Sequence, residues 1–187
     1  MDDKRTAILN VAIELFVAKG FHGTPTSLIA KRADISNGTL FHYFNTKEEL
    51  INAIYLETKD KLFLFITEEF NKEDELVNRI QYLWSRSIQW GLLNPSSFRF
   101  IQQYNNSPFI SKLTSEQVSR HQNFFVALLE EGQKKGIIKN MDVQLLLQIS
   151  LWHIYGLIFF LLERKEQQHD NKILSEAYKS YWVSITS

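Results

Sequence analysis

The stretch from Thr26 to Lys47 constrains the fold of this chain more than any other segment. It reads TSLIAKRADISNGTLFHYFNTK, in which two runs with helical spacing are separated by a few turn-forming residues. Asp34 lies where the chain turns, and Asp tolerates the left-handed backbone conformation better than most residues do. Ser36 is expected to cap the second helix, which we predict over residues 37–44. Two short helices joined by so tight a turn form a helix-turn-helix.

The second helix of this pair offers groups that suit DNA. Gly38 allows the backbone to come close to a duplex, and the hydroxyl and imidazole groups of Thr39, His42 and Tyr43 can hydrogen-bond phosphate oxygens. Asn37 can pair with an adenine edge in the major groove. The alternative is a helix-turn-helix that serves only as a packing motif and never contacts DNA.

The whole chain is predicted to be all-α, because 187 residues contain only seven Gly and three Pro. Gly20 is expected to end the first helix of the chain. Thr24 is expected to cap the helix that follows, with Pro25 at its first position. Residues Thr46 to Glu49 are expected to form a capping box. The predicted helices span residues 3–19, 26–33, 37–44, 47–70, 73–92, 96–105, 115–135, 142–165 and 171–185. We expect a head over residues 1–46 and a body over residues 47–187, joined through the fourth helix.

Composition limits the possible functions. The absence of cysteine excludes disulfides, thiolate nucleophiles and cysteine-based zinc sites, and no two histidines have the spacing of a helical metal site. No nucleophile elbow, phosphate-binding loop or His-Glu-x-x-His motif supports an enzyme, and no cofactor is expected. Equal numbers of acidic and basic residues, 21 of each, argue against coating nucleic acid through bulk charge. The polar start of the chain does not fit a secretory signal, so we expect a cytoplasmic protein.

One segment raises the alternative of a membrane-associated protein. Residues 143–162 carry no charge over twenty positions, which meets the length criterion for a membrane span. The segment also contains Gln144, Gln148, Ser150 and His153, and no cluster of Lys or Arg sets an orientation. We therefore expect a core or subunit-interface helix in a soluble protein rather than a membrane helix.

Residues 23–50, GTPTSLIAKRADISNGTLFHYFNTKEEL, closely resemble the N-terminal DNA-binding domain of the tetracycline-repressor (TetR) family of bacterial transcription regulators. The resemblance implies a homodimer with a three-helix DNA-binding head and a variable helical body that binds a small effector. It also departs from the family pattern at two positions. Asp34 stands where Gly is usual, and Phe41 stands where Tyr is usual, so that a hydroxyl contact to phosphate is lost there.

The resemblance assigns roles to seven residues of the head. Those that match phosphate-contacting positions are Thr26, Thr39, His42, Tyr43 and Lys47, and those that match base-facing positions are Asn37 and Gly38. We predict a regulator, a repressor rather than an activator, which binds a palindromic double-stranded operator as a homodimer. A small-molecule effector is expected to release it.

The body is rich in aromatic residues, interleaved with polar ones, and helical bundles bind ligands between their helices. We predict an apolar or aromatic effector contacted by Trp84, Trp90, Phe98, Tyr104, His121, Phe125, Trp152 and His153. A plain core role is the alternative for each of them. The last two helices are predicted to form a four-helix dimer interface through Leu146, Ile149, Leu157, Phe160, Ile173, Ala177 and Tyr181. The alternative is that these residues close the core of one protomer.

Overall fold

A computed structural model describes residues 3–109, 119 and 121–186, and this part of the chain contains nine α-helices and no strand. The helices are α1 (Asp3–Lys19), α2 (Thr26–Arg32), α3 (Asn37–Tyr43), α4 (Lys47–Thr67), α5 (Leu76–Leu93), α6 (Pro95–Asn105), α7 (Gln122–Lys134), α8 (Val143–Glu163) and α9 (Asn171–Ile185). The all-α prediction is confirmed. Part of the helix predicted over 115–135 lies outside the described residues.

The chain divides into two compact units that share α4. The first unit comprises Met1–Lys61 and Asn94–Gln117, and the second comprises Leu62–Leu93 and Val118–Ser187. α6 therefore belongs to the same unit as α1, α2 and α3, although the sequence predicted that every residue after 46 belongs to the body. The boundary falls inside α4, between Lys61 and Leu62.

In the first unit, α1 packs against α2 and α6 around aromatic side chains. The Phe16 ring lies 5.3 Å from that of Phe21 and 6.2 Å from that of Phe100, measured between centroids. Tyr104 stacks on Tyr55 at 4.0 Å. These contacts join α6 to both α1 and α4, which explains why α6 belongs to this unit.

Most of the predicted turn chemistry is confirmed. Gly20 and Asp34 both adopt the left-handed conformation, with φ of 76° and 54°. The Ser36 hydroxyl accepts a hydrogen bond from the backbone N–H of Thr39 at 3.0 Å, as expected for a cap. In the capping box, the Thr46 hydroxyl accepts from the N–H of Glu49 at 3.0 Å.

Two details of capping differ from the prediction. The Thr24 hydroxyl does not cap α2 but donates to the carbonyl oxygen of Gly20 at 2.8 Å, which satisfies the end of α1 instead. Pro25 therefore takes the cap position of α2, and the first helical residue is Thr26. The Glu49 carboxylate accepts from the N–H of Asn45 at 3.0 Å, one residue before the N–H that a capping box uses.

In the second unit, α8 packs against α5, α7 and α9. Its approach to α5 requires a glycine, because a Cβ at Gly91 would lie 2.6 Å from Cδ1 of Ile158. α8 has a mean hydropathy of 2.0 and meets the length and composition of a membrane span, a test that core helices of soluble proteins also pass. The prediction of a core or interface helix needs refinement, because only one face of α8 is packed inside the protomer.

Candidate functional site

The outward side of α3, which we call the α3 face, consists of Asn37, Gly38, Thr39, His42 and Tyr43. Asn37, Gly38 and His42 are exposed, and Thr39 and Tyr43 are half-buried. The opposite side of the helix holds the apolar residue Leu40, which is fully buried. The predicted DNA-facing residues are therefore directed away from the core of the first unit.

The local geometry explains why α3 holds these side chains in place. The Ser36 and Thr39 hydroxyls lie 2.8 Å apart, so the capping residue also orients the Thr39 side chain. At Gly38, an added Cβ would meet only the Ser36 hydroxyl, at an ordinary contact distance of 3.7 Å. The packing of the protomer thus does not require glycine at this position.

Two further predicted DNA contacts flank α3. Thr26 is half-buried at the start of α2, and Lys47 is half-buried at the start of α4. The Lys47 ammonium lies 6.0 Å from the ring centroid of Phe16, and burial lowers the pKa of Lys47. The aliphatic part of the side chain is therefore held against the core. Little conformational entropy is then lost when the ammonium binds an anion.

An ion pair beside the end of α3 was not predicted from the sequence. The Arg5 guanidinium forms an ion pair with Glu57 and lies 5.4 Å from the ring centroid of Phe44, the residue that ends α3. The hydrogen bond from Arg5 to Glu57 raises the pKa of Arg5. Sequence patterns cannot reveal this pair, because its members are 52 residues apart.

The predicted effector contacts do not belong to a single unit. Phe98 and Tyr104 lie in the first unit, where they are 2% and 0% exposed. The Tyr104 hydroxyl donates to Oδ1 of Asn52 at 2.7 Å, and burial raises the pKa of Tyr104. These observations fit the core alternative for both residues. The other six predicted contacts lie in the second unit.

Within the second unit, His121 and Phe125 belong to an aromatic cluster around Phe63 of α4. The His121 ring stacks on Phe63 with centroids 4.3 Å apart, and the Phe125 ring lies 6.3 Å from Phe63. Phe124 fills the space beside them at 5.5 Å from Phe63. Two of the predicted contacts are thus brought together by a residue that the prediction did not include.

Trp84 and His153 form a second cluster with residues of α9. The indole N–H of Trp84 donates to Nδ1 of His153 at 3.4 Å, and burial lowers the pKa of His153 against an opposing hydrogen bond to the backbone of Ala177. Tyr178 packs edge-on against Trp84 at 5.2 Å. His153 thus has hydrogen-bond partners within the second unit. Trp90 is buried in the same unit.

Trp152, the last predicted effector contact, lies at the surface and belongs to neither of these clusters. Its side chain is 62% exposed, because it lies on the side of α8 that faces away from α5, α7 and α9. Two residues predicted to lie in the dimer interface are instead buried inside the chain. Leu146 and Tyr181 are 0% and 4% exposed, and the Tyr181 hydroxyl donates to Ser150 at 3.1 Å, so both close the core of the protomer.

The outward side of α8 carries an apolar stripe, which we call the α8 face. Leu145, Trp152, Phe159 and Phe160 are 49%, 62%, 40% and 38% exposed. At Gly156, in the middle of the stripe, an added Cβ would meet nothing within 4 Å. Leu145 and Phe159 were not predicted, because α8 is apolar on nearly all sides and its sequence does not distinguish the exposed side.

The remaining predicted interface residues, Ile149, Leu157, Ile173 and Ala177, are half-buried in the protomer. They border the α8 face or lie on α9 and retain some surface for a partner. Across the described ranges, no group of three His, Cys, Asp or Glu side chains is placed to hold a metal ion.

Comparison with known families identifies both parts of the chain. Residues 8–54 match the family described as bacterial regulatory proteins, tetR family. Residues 71–186 match a family described as tetracyclin repressor-like, C-terminal domain. The two matches correspond to the head and to most of the body.

Individual relatives agree with these matches. The chain is 47% identical over 57 residues to the HTH-type transcriptional regulator UidR of Escherichia coli K12, a match that spans 30% of this chain and 29% of UidR. A putative tetR family transcription regulator from Shewanella sp. PV-4 has a TM-score of 0.91 at 26% identity, with 98% of both chains covered. FadR of Bacillus subtilis, solved in complex with stearoyl-CoA, has a TM-score of 0.77 at 21% identity and covers 96% of this chain and 97% of its own.

Proposed function

Because the chain belongs to the tetR family of bacterial regulatory proteins, we propose that it is a cytoplasmic repressor. As a member of this family it is a transcriptional regulator with a DNA-binding helix-turn-helix. In this proposal it binds a palindromic operator as a homodimer, and a small apolar or aromatic effector releases it. Named relatives act in transcription, and no catalytic role is proposed.

The polar α3 face carries the DNA-binding part of the proposal. Asn37, Gly38 and His42 are exposed on a helix whose other side is fixed by buried Leu40 and by the Ser36 cap. A helix held in this way can enter the major groove with Asn37 and Gly38 toward the bases. The register of the head on the duplex is then set by phosphate contacts. The residues proposed to make them are Thr26, Thr39, His42, Tyr43 and Lys47.

The apolar α8 face supports the homodimer. We assign Trp152, Phe159 and Phe160 to the interface, with Ile149 and Leu157 at its margin. Exposed rings clustered on one helix are typical of a surface that another protein covers. A second copy of α8 can pack closely here, because Gly156 leaves the centre of the stripe open. Dimer formation also explains a strongly apolar helix in a protein that works outside a membrane.

The effector is assigned to the helical body. The aromatic cluster around Phe63 supports this assignment, since apolar and aromatic side chains line most small-molecule sites. FadR of Bacillus subtilis, which shares the fold, was solved with stearoyl-CoA, a largely apolar molecule. Because α4 belongs to both units, it is the element through which effector binding can alter the presentation of α3.

The experiment that tests this function begins with selection of duplexes from a random pool by the purified protein. We expect a palindrome whose half-sites lie one or more helical turns apart, bound with a log–log salt slope of about −0.9 per phosphate neutralised. Compounds are then screened for release of the selected duplex. Failure to enrich any sequence, or binding by a monomer in detergent-free buffer, would contradict the proposal.

A further inference from the structure

The outward sides of α8 and α9 differ in polarity. Within Asn171–Ile185, the exposed residues are polar or charged except for Val183. They are Asn171, Lys172, Ser175, Glu176, Lys179 and Ser180. The α8 face carries no charge, and its exposed rings include that of Trp152. A partner that excludes water therefore gains more from covering α8 than from covering α9.

The α8 face is uneven at its centre. The Trp152 side chain is the largest on this face and is 62% exposed, so it projects from the helix. One turn later, Gly156 has no side chain, and an added Cβ there would meet nothing within 4 Å. Residues four apart lie on one side of a helix, about 6 Å apart along its axis. The centre of the face thus combines a projection with a hollow.

A symmetric pair of α8 helices can be parallel or antiparallel, and the two arrangements use these features differently. In a parallel pair, identical residues face each other, so two copies of Trp152 collide and two copies of Gly156 leave a void. In an antiparallel pair centred midway between these residues, each Trp152 lies opposite the partner's Gly156. Stable interfaces reach the packing density of protein interiors, which a void lowers. The projection and the hollow therefore favour the antiparallel pair.

The charges at the two ends of α8 favour the same arrangement. Asp142 caps the start of the helix with its side chain. Beyond the end of the helix, the Arg164 guanidinium lies 4.2 Å from the ring centroid of Phe160, which places its positive charge beside the α8 face. Glu163 lies 4.0 Å from Arg164, and its side chain is 74% exposed and stays hydrated. An antiparallel pair brings each Asp142 near the partner's Arg164, whereas a parallel pair brings like charges together.

We propose that two copies of this chain associate through antiparallel α8 helices, with each Trp152 seated over the partner's Gly156. This inference rests on the proposed function, because it specifies how the homodimer recognises its second copy. A uniformly apolar stripe accepts many apolar partners. A projection and a hollow at a fixed spacing, repeated in reverse order on the partner, fit only a surface with the same spacing. The pair thus selects a second copy of this chain over other apolar helices.

Exchanging the two residues tests the contact between them. Trp152→Gly leaves two hollows opposite each other and Gly156→Trp opposes two indoles, so each is expected to raise the dimer dissociation constant at least about tenfold. The double variant Trp152→Gly/Gly156→Trp restores a projection opposite each hollow, and its dissociation constant is expected to lie within about threefold of the wild-type value. Sedimentation equilibrium of the full-length proteins measures all of these constants.

Trp152→Gly/Gln144→Trp is the matched control, because Gln144 is exposed on α8 but lies outside the α8 face. It keeps the wild-type tryptophan content and is expected to dimerise as weakly as Trp152→Gly. Both exchanged positions are open in the protomer, so far-UV circular dichroism should not change. A wild-type dimer that the double exchange does not recover overturns this inference alone. A monomeric wild type overturns the proposed homodimer with it.

Cross-linking tests the direction of the pair, since the chain has no cysteine. Leu145 and Glu163 lie equally far from the centre of the proposed pair, which places each Leu145 opposite the partner's Glu163. With a short bismaleimide, Leu145→Cys/Glu163→Cys is expected to give a covalent dimer, and each single variant is expected to give none. Within one helix the two positions are about 27 Å apart, which is too far for the reagent. Cross-linking of either single variant by itself, or no cross-linking of the double variant, overturns the antiparallel arrangement.

Discussion

The α3 face and the α8 face are both exposed sides of helices, but their chemistry is opposite. α3 turns the polar residues Asn37 and His42 outward, which water solvates well in the free protein. α8 turns Trp152 and Phe159 outward, and exposure of their rings to water is unfavourable. In the proposed function, α3 accordingly binds a hydrated, charged partner reversibly. We expect α8 to bind a partner that stays in place.

The largest effect is expected from breaking the α8 face with a charge. Trp152→Glu places a carboxylate in the proposed dimer interface. We expect the dissociation constant of the dimer to rise by at least about 100-fold, because a central aromatic residue is replaced by a group that must be desolvated. Sedimentation equilibrium of the purified protein measures this change.

Leu64→Glu is the control for this experiment. Leu64 is 68% exposed on α4, outside the α8 face. A general effect of replacing exposed apolar residues would weaken the dimer equally in both variants. A dimer that persists in Trp152→Glu would show that α8 does not mediate association.

The two sides of α8 are distinguished by a pair of glycines. Gly91→Ala forces a methyl group against Ile158 on the packed side, and we expect a loss of about 1–3 kcal/mol in the free energy of unfolding. Gly156→Ala adds its methyl to the open side, so the protomer is expected to lose no stability. Denaturant titration followed by tryptophan fluorescence reports on the second unit, since Trp84, Trp90, Trp152 and Trp182 all lie there. Equal effects of the two substitutions would contradict the assigned orientation of α8.

At the α3 face, substitution should change DNA binding without changing assembly. Lys47→Ala is expected to weaken binding to every duplex by about tenfold and to reduce the salt slope by about 1, because one phosphate contact is lost. Lys72→Ala, an exposed lysine of the second unit, has the same change in net charge and serves as the control. Fluorescence anisotropy with labelled duplexes over a salt series measures both quantities.

The smallest expected effect concerns acid stability of the second unit. Hydrogen bonds from Arg79 and Lys135 lower the pKa of Glu131 to about 2, from an ordinary value of 4.5. The ionised carboxylate therefore stabilises the fold above about pH 4.5, and this contribution is lost as the pH falls toward 2. Because Glu131 is partly exposed, solvent screening limits the effect to about 0.2–1 kcal/mol.

Glu131→Gln tests this expectation. Acid titration of the tryptophan signal should show a shallower loss of stability in the variant between pH 4.5 and pH 2. An unchanged pH profile would mean that the ion pairs to Arg79 and Lys135 do not stabilise the fold in solution.

The same two faces show what the sequence could reveal. The position of α3 follows from groups close together in the chain, such as the Ser36 cap and the left-handed Asp34, so its exposed residues could be predicted. The orientation of α8 depends on contacts such as Trp84 with His153, 69 residues apart. A helix that is apolar on all sides carries no periodic signal, so the sequence could not show that Trp152 is exposed and Leu146 is buried.

Gln102 illustrates a further limit of the sequence. A glutamine on a helix is usually solvated, yet the side chain of Gln102 is buried and its amide nitrogen has no hydrogen-bond partner among the described residues. The spacing of residues along α6 gives no sign of this, because burial depends on the elements packed against the helix.

The most direct test of the account compares the duplexes selected from a random pool by the wild-type protein and by Asn37→Ala. The account predicts that both proteins enrich a palindrome with the same spacing of half-sites. The variant should lose base preference at one symmetric pair of positions, at a cost of about 1–3 kcal/mol per contact. Identical preferences in the two selections would contradict the central claim that α3 reads the bases.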